Sequence, residues 1–177
     1  MTSPTGQVAH VAGFPIKQVA MVVRDLDQAV RAYWNRLGVG PWTSYVLEPP
    51  RLKDMTYHGE PVEFAIRHAL AWSGETQLEL VQPLYGPSIF SDHLDVCGEG
   101  QHHLGIFVDD HPAAMQSLTD SGFRYVQGAR GFGAEGDGAF AYFETDEPVG
   151  TIIEVIEAPK VRIPPDFVYP AEPGGNP

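Results

Sequence analysis

The sequence predicts an α+β fold made twice from one unit, a strand followed by a helix and three more strands. Three observations carry that reading. Residues 103–108 alternate as a half-buried strand, with His103, Gly105 and Phe107 on one face and Leu104, Ile106 and Val108 on the other. The segments KQVAMVVRDLDQAVRAYWNRLGV and HHLGIFVDDHPAAMQSLTDSGFRYV superpose as strand, aspartate cap, amphipathic helix and glycine stop. TQLELVQ and TIIEVIE superpose as the closing strand of each unit. The expected organisation is an arm over residues 1–14, a first module over 15–83 and a connector over 84–101. A second module over 102–158 and a proline-rich tail over 159–177 complete it.

In the first module, residues 16–23 alternate as a strand, with Gln18, Ala20 and Val22 sharing a face. Asp25 caps a helix over 26–37, where Leu26, Val30, Tyr33, Trp34 and Leu37 form one apolar stripe and Gly38 ends the run. Residues 41–48 read as a strand and the polar, proline-rich residues 49–61 as a loop. Residues 62–72 and 75–82 read as a hairpin around Ser73-Gly74. The connector holds a short helix near residues 87–95. In the second module a helix over 112–121 is followed by a strand at 123–127 and a mobile, glycine-rich loop reaching Gly138. Strands at 139–144 and 151–156 are joined by a turn over 145–150, and the tail is expected to be a loose terminus.

Composition excludes several classes of function. A net charge of −12 argues against nucleic acid or an anionic membrane surface as partner. No apolar run approaches the length of a membrane span, and the first residues lack a signal-peptide pattern. The single cysteine, Cys97, cannot form an internal disulfide, which suits a cytoplasmic protein.

The chemistry-bearing residues fall at equivalent points of the repeat: Gln18 lies over His103, and Glu79 over Glu154. Both glutamates have apolar neighbours on either side in sequence. Carboxylates in apolar strands are paired, bound to a cation, or on a solvent-facing surface, and the pattern alone leaves these open. A two-residue loop at Ser73-Gly74 pairs Trp72 with Glu75 and, counting back, sets His68 directly opposite Glu79. His102 is expected to be an exposed neighbour of His103, and His58 and His93 surface residues. Arg130 is a candidate for holding an anionic substrate. The stretch GARGFGAEGDG lacks a following helix and carries acidic residues, so it is not a phosphate loop. Trp42, Tyr45, Trp72, Phe107 and Phe143 are the aromatics considered as a cleft lining.

VAMVVRDLDQAVRAYW, TQLELVQPL, GQHHLGIFVDD and GTIIEVIE, in that order and spacing, resemble the vicinal oxygen chelate superfamily. It includes glyoxalase I, methylmalonyl-CoA epimerase, extradiol dioxygenases and bleomycin-resistance proteins. The resemblance spans about residues 16–158. It implies two βαβββ modules curled around a shared cleft, a homodimer, and one metal ligand from the first and last strand of each module. Those positions here are Gln18, Glu79, His103 and Glu154. Gln18 stands where a histidine is commoner; that departure weighs against an iron dioxygenase and matches the Gln, Glu, His, Glu set of some glyoxalase I enzymes. One divalent ion per chain is implied, with Zn, Co, Ni, Mn and Mg all compatible with the donors.

The function expected is a metal-dependent epimerase or isomerase that removes a proton beside a carbonyl, with Glu154, Glu79 and His68 as the acid/base candidates. The substrate is a small molecule, with a methylmalonyl-type acyl-CoA as first choice. Two alternatives stand beside it: a glyoxalase I-like lyase and a metal-free small-molecule or antibiotic binder.

Overall fold

A computed structural model describes residues 14–145 and 150–171 of the chain. Residues 1–13 of the expected arm over 1–14, the centre of the turn at 145–150, and the last six residues lie outside the described residues. In chain order the elements are β1 (Ile16–Val22), α1 (Leu26–Leu37), β2 (Trp42–Leu47), β3 (Lys53–Tyr57), β4 (Glu60–Pro61), β5 (Ala65–Ser73) and β6 (Thr76–Tyr85). They continue with α2 (Ile89–Val96), β7 (Gly100–Phe107), α3 (His111–Asp120), β8 (Arg124–Arg130), β9 (Ala139–Glu144), β10 (Ile152–Glu157) and β11 (Phe167–Tyr169).

The strands form one curled mixed sheet in the order β11-β2-β5-β6-β1-β7-β10-β9-β8-β3-β4. The repeat is visible in it. β2-β5-β6-β1 and β8-β9-β10-β7 are the two modules, each with its first strand parallel to its last, and β1 joins β7 antiparallel at the centre.

Local chemistry sets the helices. The Asp25 carboxylate accepts from the Gln28 amide at 2.9 Å, and Gly38 closes α1 at φ 68°, a left-handed conformation that costs glycine little. Leu26 and Val30 of α1 bury against Trp42, Ala69 and Leu80 on the convex face. Each such aliphatic side chain contributes about 1.5–3 kcal/mol. Asp110 caps α3 through the Ala113 amide, and Leu118 packs on Phe143, Ile153 and Val155. α2 instead covers part of the concave face, where Phe90 meets Tyr142 edge-on.

Away from the central strands, the structure departs from the sequence reading at three places. Residues 49–61 are not a plain loop: they carry β3 and β4, and β3 pairs with β8 of the other module. The hairpin turn is Gly74-Glu75, since Ser73 faces Thr76; Gly74 takes the left-handed φ of 62°. The tail is not loose over its described part, because β11 adds to the outer edge of β2. Glycine-rich residues 131–138 form a hydrogen-bonded excursion, with Gly131 donating to the Gly138 carbonyl and Gly133 to that of Asp137, both at 2.8 Å.

At the centre, Ala20 faces His103 and Gly105 faces Gln18 across β1 and β7. Each long polar side chain thus lies opposite a residue with little or no side chain. A Cβ on Gly105 would stand 2.7 Å from the Gln18 Cβ. Gly105→Ala is therefore expected to lower unfolding free energy by about 1–3 kcal/mol, the usual cost of overpacking. Denaturant titration checks this, and a loss below about 0.5 kcal/mol would show that Gln18 moves aside freely.

Candidate metal centre and cleft

The alternation of β1, β6, β7 and β10 carries Gln18, Glu79, His103 and Glu154 to the concave face, and all four are buried there, at 3%, 5%, 0% and 4% exposure. His103 Nε2 stands 3.1 Å from Glu79 Oε2 and 3.1 Å from Glu154 Oε2. Its single Nε2 hydrogen serves Glu79, which leaves Glu154 Oε2 without a hydrogen-bond partner. The Gln18 amide donates to Gln77 Oε1 at 3.0 Å, so its own carbonyl oxygen is a second buried atom without a partner.

Those two orphaned oxygens test whether the residues suit a cation. Buried acceptors are nearly always satisfied, and these two, unlike the third such oxygen among the described residues, Asp137 Oδ1, belong to the proposed ligand set. One ligand atom from each of Glu79, His103 and Glu154 lies within 4.8 Å of the others. Ligands at about 2.0–2.2 Å from a small divalent ion have comparable mutual separations. Two carboxylates balance the charge of such an ion. The group fits.

The same geometry governs proton affinities. Burial would raise Glu79, but hydrogen bonds from His103 and His68 overturn it and hold the carboxyl at about 2. Burial disfavours the His103 imidazolium, yet Glu154 and Glu79 together lift its pKa to about 9. Glu154 ends above the usual carboxylate range, because burial outweighs the pull of His103. The Tyr142 phenol, its cross-strand neighbour on β9, is pushed well above its ordinary value by burial and by the two glutamates.

His68 contacts Glu79, although not by the expected pairing. The turn at Gly74-Glu75 sets Leu70 opposite Glu79 and His68 opposite Val81. A shift of two positions preserves the face, so His68 meets Glu79 diagonally, with Nδ1 2.7 Å from Oε1. This bond leaves Nε2 for the cleft that His68 lines.

His102 corrects the sequence reading outright. Ala20 faces His103 but Met21 faces Gln101, so His102 is the extra residue of a β-bulge and turns inward instead of outward. It is buried at 5% exposure, between Phe90 and His93, with Nδ1 2.9 Å from His103 Nδ1. Burial, then the neighbouring imidazoles, push its pKa down to about 2. His102 is thus neutral and accepts from the His103 Nδ1–H, which directs the other His103 nitrogen at the glutamates. An alternating pattern gives no sign of a bulge.

Around this polar floor rise apolar walls that include Tyr45, Leu47, Ile66, Phe107, Phe140 and Ile156, with Pro159, Arg162 and Ile163 at the rim. Of the aromatics considered, Tyr45 and Phe107 line the cleft. Trp42 and Phe143 are buried in the cores behind the sheet, and Trp72 is exposed. Arg130 is engaged with Asp54 and lies away from the cleft. Arg162 is the cationic residue that sequence reasoning missed, because it sits in the supposedly loose tail. His58 lies 4.0 Å from Asp92, outside the cleft lining.

Without a cation, the buried triad makes stability depend on pH in a defined sense. A His103 pKa raised from 6.5 to about 9 stabilises the fold fully below pH 6.5, and that contribution is lost as pH rises through about 9. The lowered Glu79 pKa stabilises above pH 4.5, and its contribution is lost as pH falls towards about 2. Protein treated with chelator should therefore melt at progressively lower temperature between pH 6.5 and 9. A flat profile there in thermal unfolding would mean that the imidazolium is not held by the glutamates.

The comparisons agree with this architecture. No curated protein sequence matches the chain significantly. Among solved structures, methylmalonyl-CoA epimerase from Mycobacterium tuberculosis shares 26% identity at a TM-score of 0.60, covering 81% of this chain and 88% of that one. A methylmalonyl-CoA epimerase in complex with methylmalonyl-CoA and NH4+ shares 21%, with a TM-score of 0.55 and coverage of 85% and 99%. A hypothetical protein from Bacillus halodurans C-125 shares 20%, with a TM-score of 0.54 and coverage of 82% and 95%. The model of the Glyoxalase/Bleomycin resistance protein/Dioxygenase superfamily matches residues 17–143, more than half of the sequence. The duplicated module, the curled sheet and this match together establish that the chain belongs to that superfamily.

Proposed function

We propose that the chain is a divalent-metal-dependent enzyme of the epimerase or isomerase type, which moves a proton on a carbon beside a carbonyl. The observation that carries this reading is the buried Glu79-His103-Glu154 group joined by His68 in a cleft whose walls are mostly apolar. Gln18, Glu79, His103 and Glu154 would hold the ion, which when bound supplies Lewis-acid stabilisation of negative charge on a carbonyl oxygen.

The remaining chemistry belongs to the side chains. His68 reaches the floor from β5 and Glu154 from β10, on opposite sides of the central β1–β7 pair. Inversion at carbon needs that layout, since the proton leaves one face and another arrives at the opposite face. Glu79 orients His68 through Nδ1, so the free Nε2 is the basic atom. Glu154, on the other side of the floor, would serve both as a ligand and as the group that returns a proton. The apolar walls exclude water and strengthen each of these interactions. A methylmalonyl-type thioester is the preferred substrate, supported by the epimerases among the structural neighbours. The donor set itself favours a second reading, a glyoxalase I-like lyase acting on a thiol adduct, because Gln18 replaces a histidine.

Metal analysis should find about one divalent ion per chain in the unaltered protein and loss of it under dilute chelator in Glu154→Ala. Full occupancy in that variant would place the ion elsewhere. Incubation in deuterated solvent should wash deuterium into a 2-substituted malonyl-CoA thioester. His68→Ala should keep its metal and lose exchange by roughly a hundredfold or more. Undiminished exchange in His68→Ala would leave Glu154 as the preferred base. No exchange from metal-loaded protein across thioesters and hydroxyketones would count against the epimerase reading.

A further inference from the structure

The rim of the cleft is built by a segment that leaves β10 and crosses to β2. It is held on both sides of Arg162. Before it, the Lys160 amide donates to Asp137 Oδ2 at 2.8 Å and the Val161 carbonyl accepts from Ala134 at 2.9 Å. At Arg162 itself the backbone bridges to Gly133. After it, Asp166 donates to the Ser44 carbonyl at 2.9 Å and accepts from the Val46 amide at 2.7 Å, and β11 follows. The glycine-rich excursion is the bed for this strap: a Cβ on Gly133 would stand 2.5 Å from the Pro159 side chain.

Arg162, like Arg24, Arg31, Arg36 and Arg51 and unlike Arg67, Arg124 and Arg130, has no carboxylate partner among the described residues, and it alone of the unpaired arginines lines the cleft. It is also the one cationic side chain, among the described residues, of the cleft lining. The chain carries 23 acidic residues against 11 basic ones, so an unpaired guanidinium over an apolar cleft stands out by chemistry. With the charges of the floor balanced among Glu79, Glu154, His103 and the ion they would hold, Arg162 is the uncompensated charge of the cleft and attracts an anion to the rim. A ligand with one anionic end would therefore enter with that end outermost.

We propose that the strap forms an anion-recognising subsite, in which Arg162 takes the anionic group of a substrate whose apolar body lies against the aromatic and aliphatic walls. This deepens the functional reading above, on which it rests for the floor alone. The anion is a carboxylate or a phosphate; a guanidinium recognises either.

Calorimetric titration of the full chain with 4-phenylbutyrate and with 4-phenylbutanamide tests the carboxylate source. Propionyl-CoA against propionyl-pantetheine tests the phosphate source. In at least one pair the anionic member should bind about tenfold more tightly, the worth of one charge-assisted contact. Arg162→Gln should erase that preference, Arg162→Lys should retain part of it, and the neighbouring Lys160→Gln should leave it whole. Equal binding within both pairs by the unaltered chain would overturn the subsite. So would a preference that survives Arg162→Gln and vanishes with chelator, since the anion would then sit at the floor, in keeping with the metal reading. A chain that proves to hold no metal yet shows the Arg162-dependent preference would keep the subsite and lose the proposed reaction.

Discussion

Two carboxylates and an imidazole share a space almost shut off from solvent, and the fold around them is arranged to make that tolerable. A carboxylate taken out of water is costly unless it is paired and hydrogen-bonded. Here Glu79 receives both His103 and His68, while Glu154 and Gln18 are each left with an unpartnered oxygen. Space for the group comes from the opposite strand. Ala20 and Gly105 are small where His103 and Gln18 are long, and the internal two-fold relation supplies each solution twice. The convex-face helices play no part in this chemistry. Their task is to bury the other side of the same strands, so that the concave side stays in register.

What the sequence shows well is what repeats locally. The two capped helices, the central strands and the equivalence of Gln18 with His103 and of Glu79 with Glu154 follow from patterns a few residues long. The contact between His68 and Glu79 was expected from a turn placed one residue too early. It survives because that error moves the pairing by two positions and leaves the face unchanged. The missed features depend on distant partners. β3 is a strand because β8 lies beside it, β11 because β2 offers an open edge, and neither stretch has a strong pattern of its own. The bulge at His102 was illegible for another reason: one inserted residue reverses the inside and outside assignment without altering composition.

The site divides into a polar floor, apolar walls and a rim with a single cation, and each part answers a different question about function. The floor sets the reaction type, because it holds the groups that carry charge and protons. The walls and rim set which molecule arrives there. Members of one superfamily can share the floor's scaffold and differ in chemistry, so fold likeness at 20–26% identity speaks to the scaffold more than to the substrate.

The two halves also exchange their borders. The first lends β3 and β4 to the edge of β8, and the second lends β11 to the edge of β2. Neither half therefore owns a finished sheet. A duplicated unit of this kind no longer behaves as two small domains in tandem, since removing either would bare a strand edge in the other. The reciprocal loan ties the two halves together, so unfolding is expected to be a single cooperative event. It also means that a chain cut within the connector would yield fragments whose most complementary surface is each other.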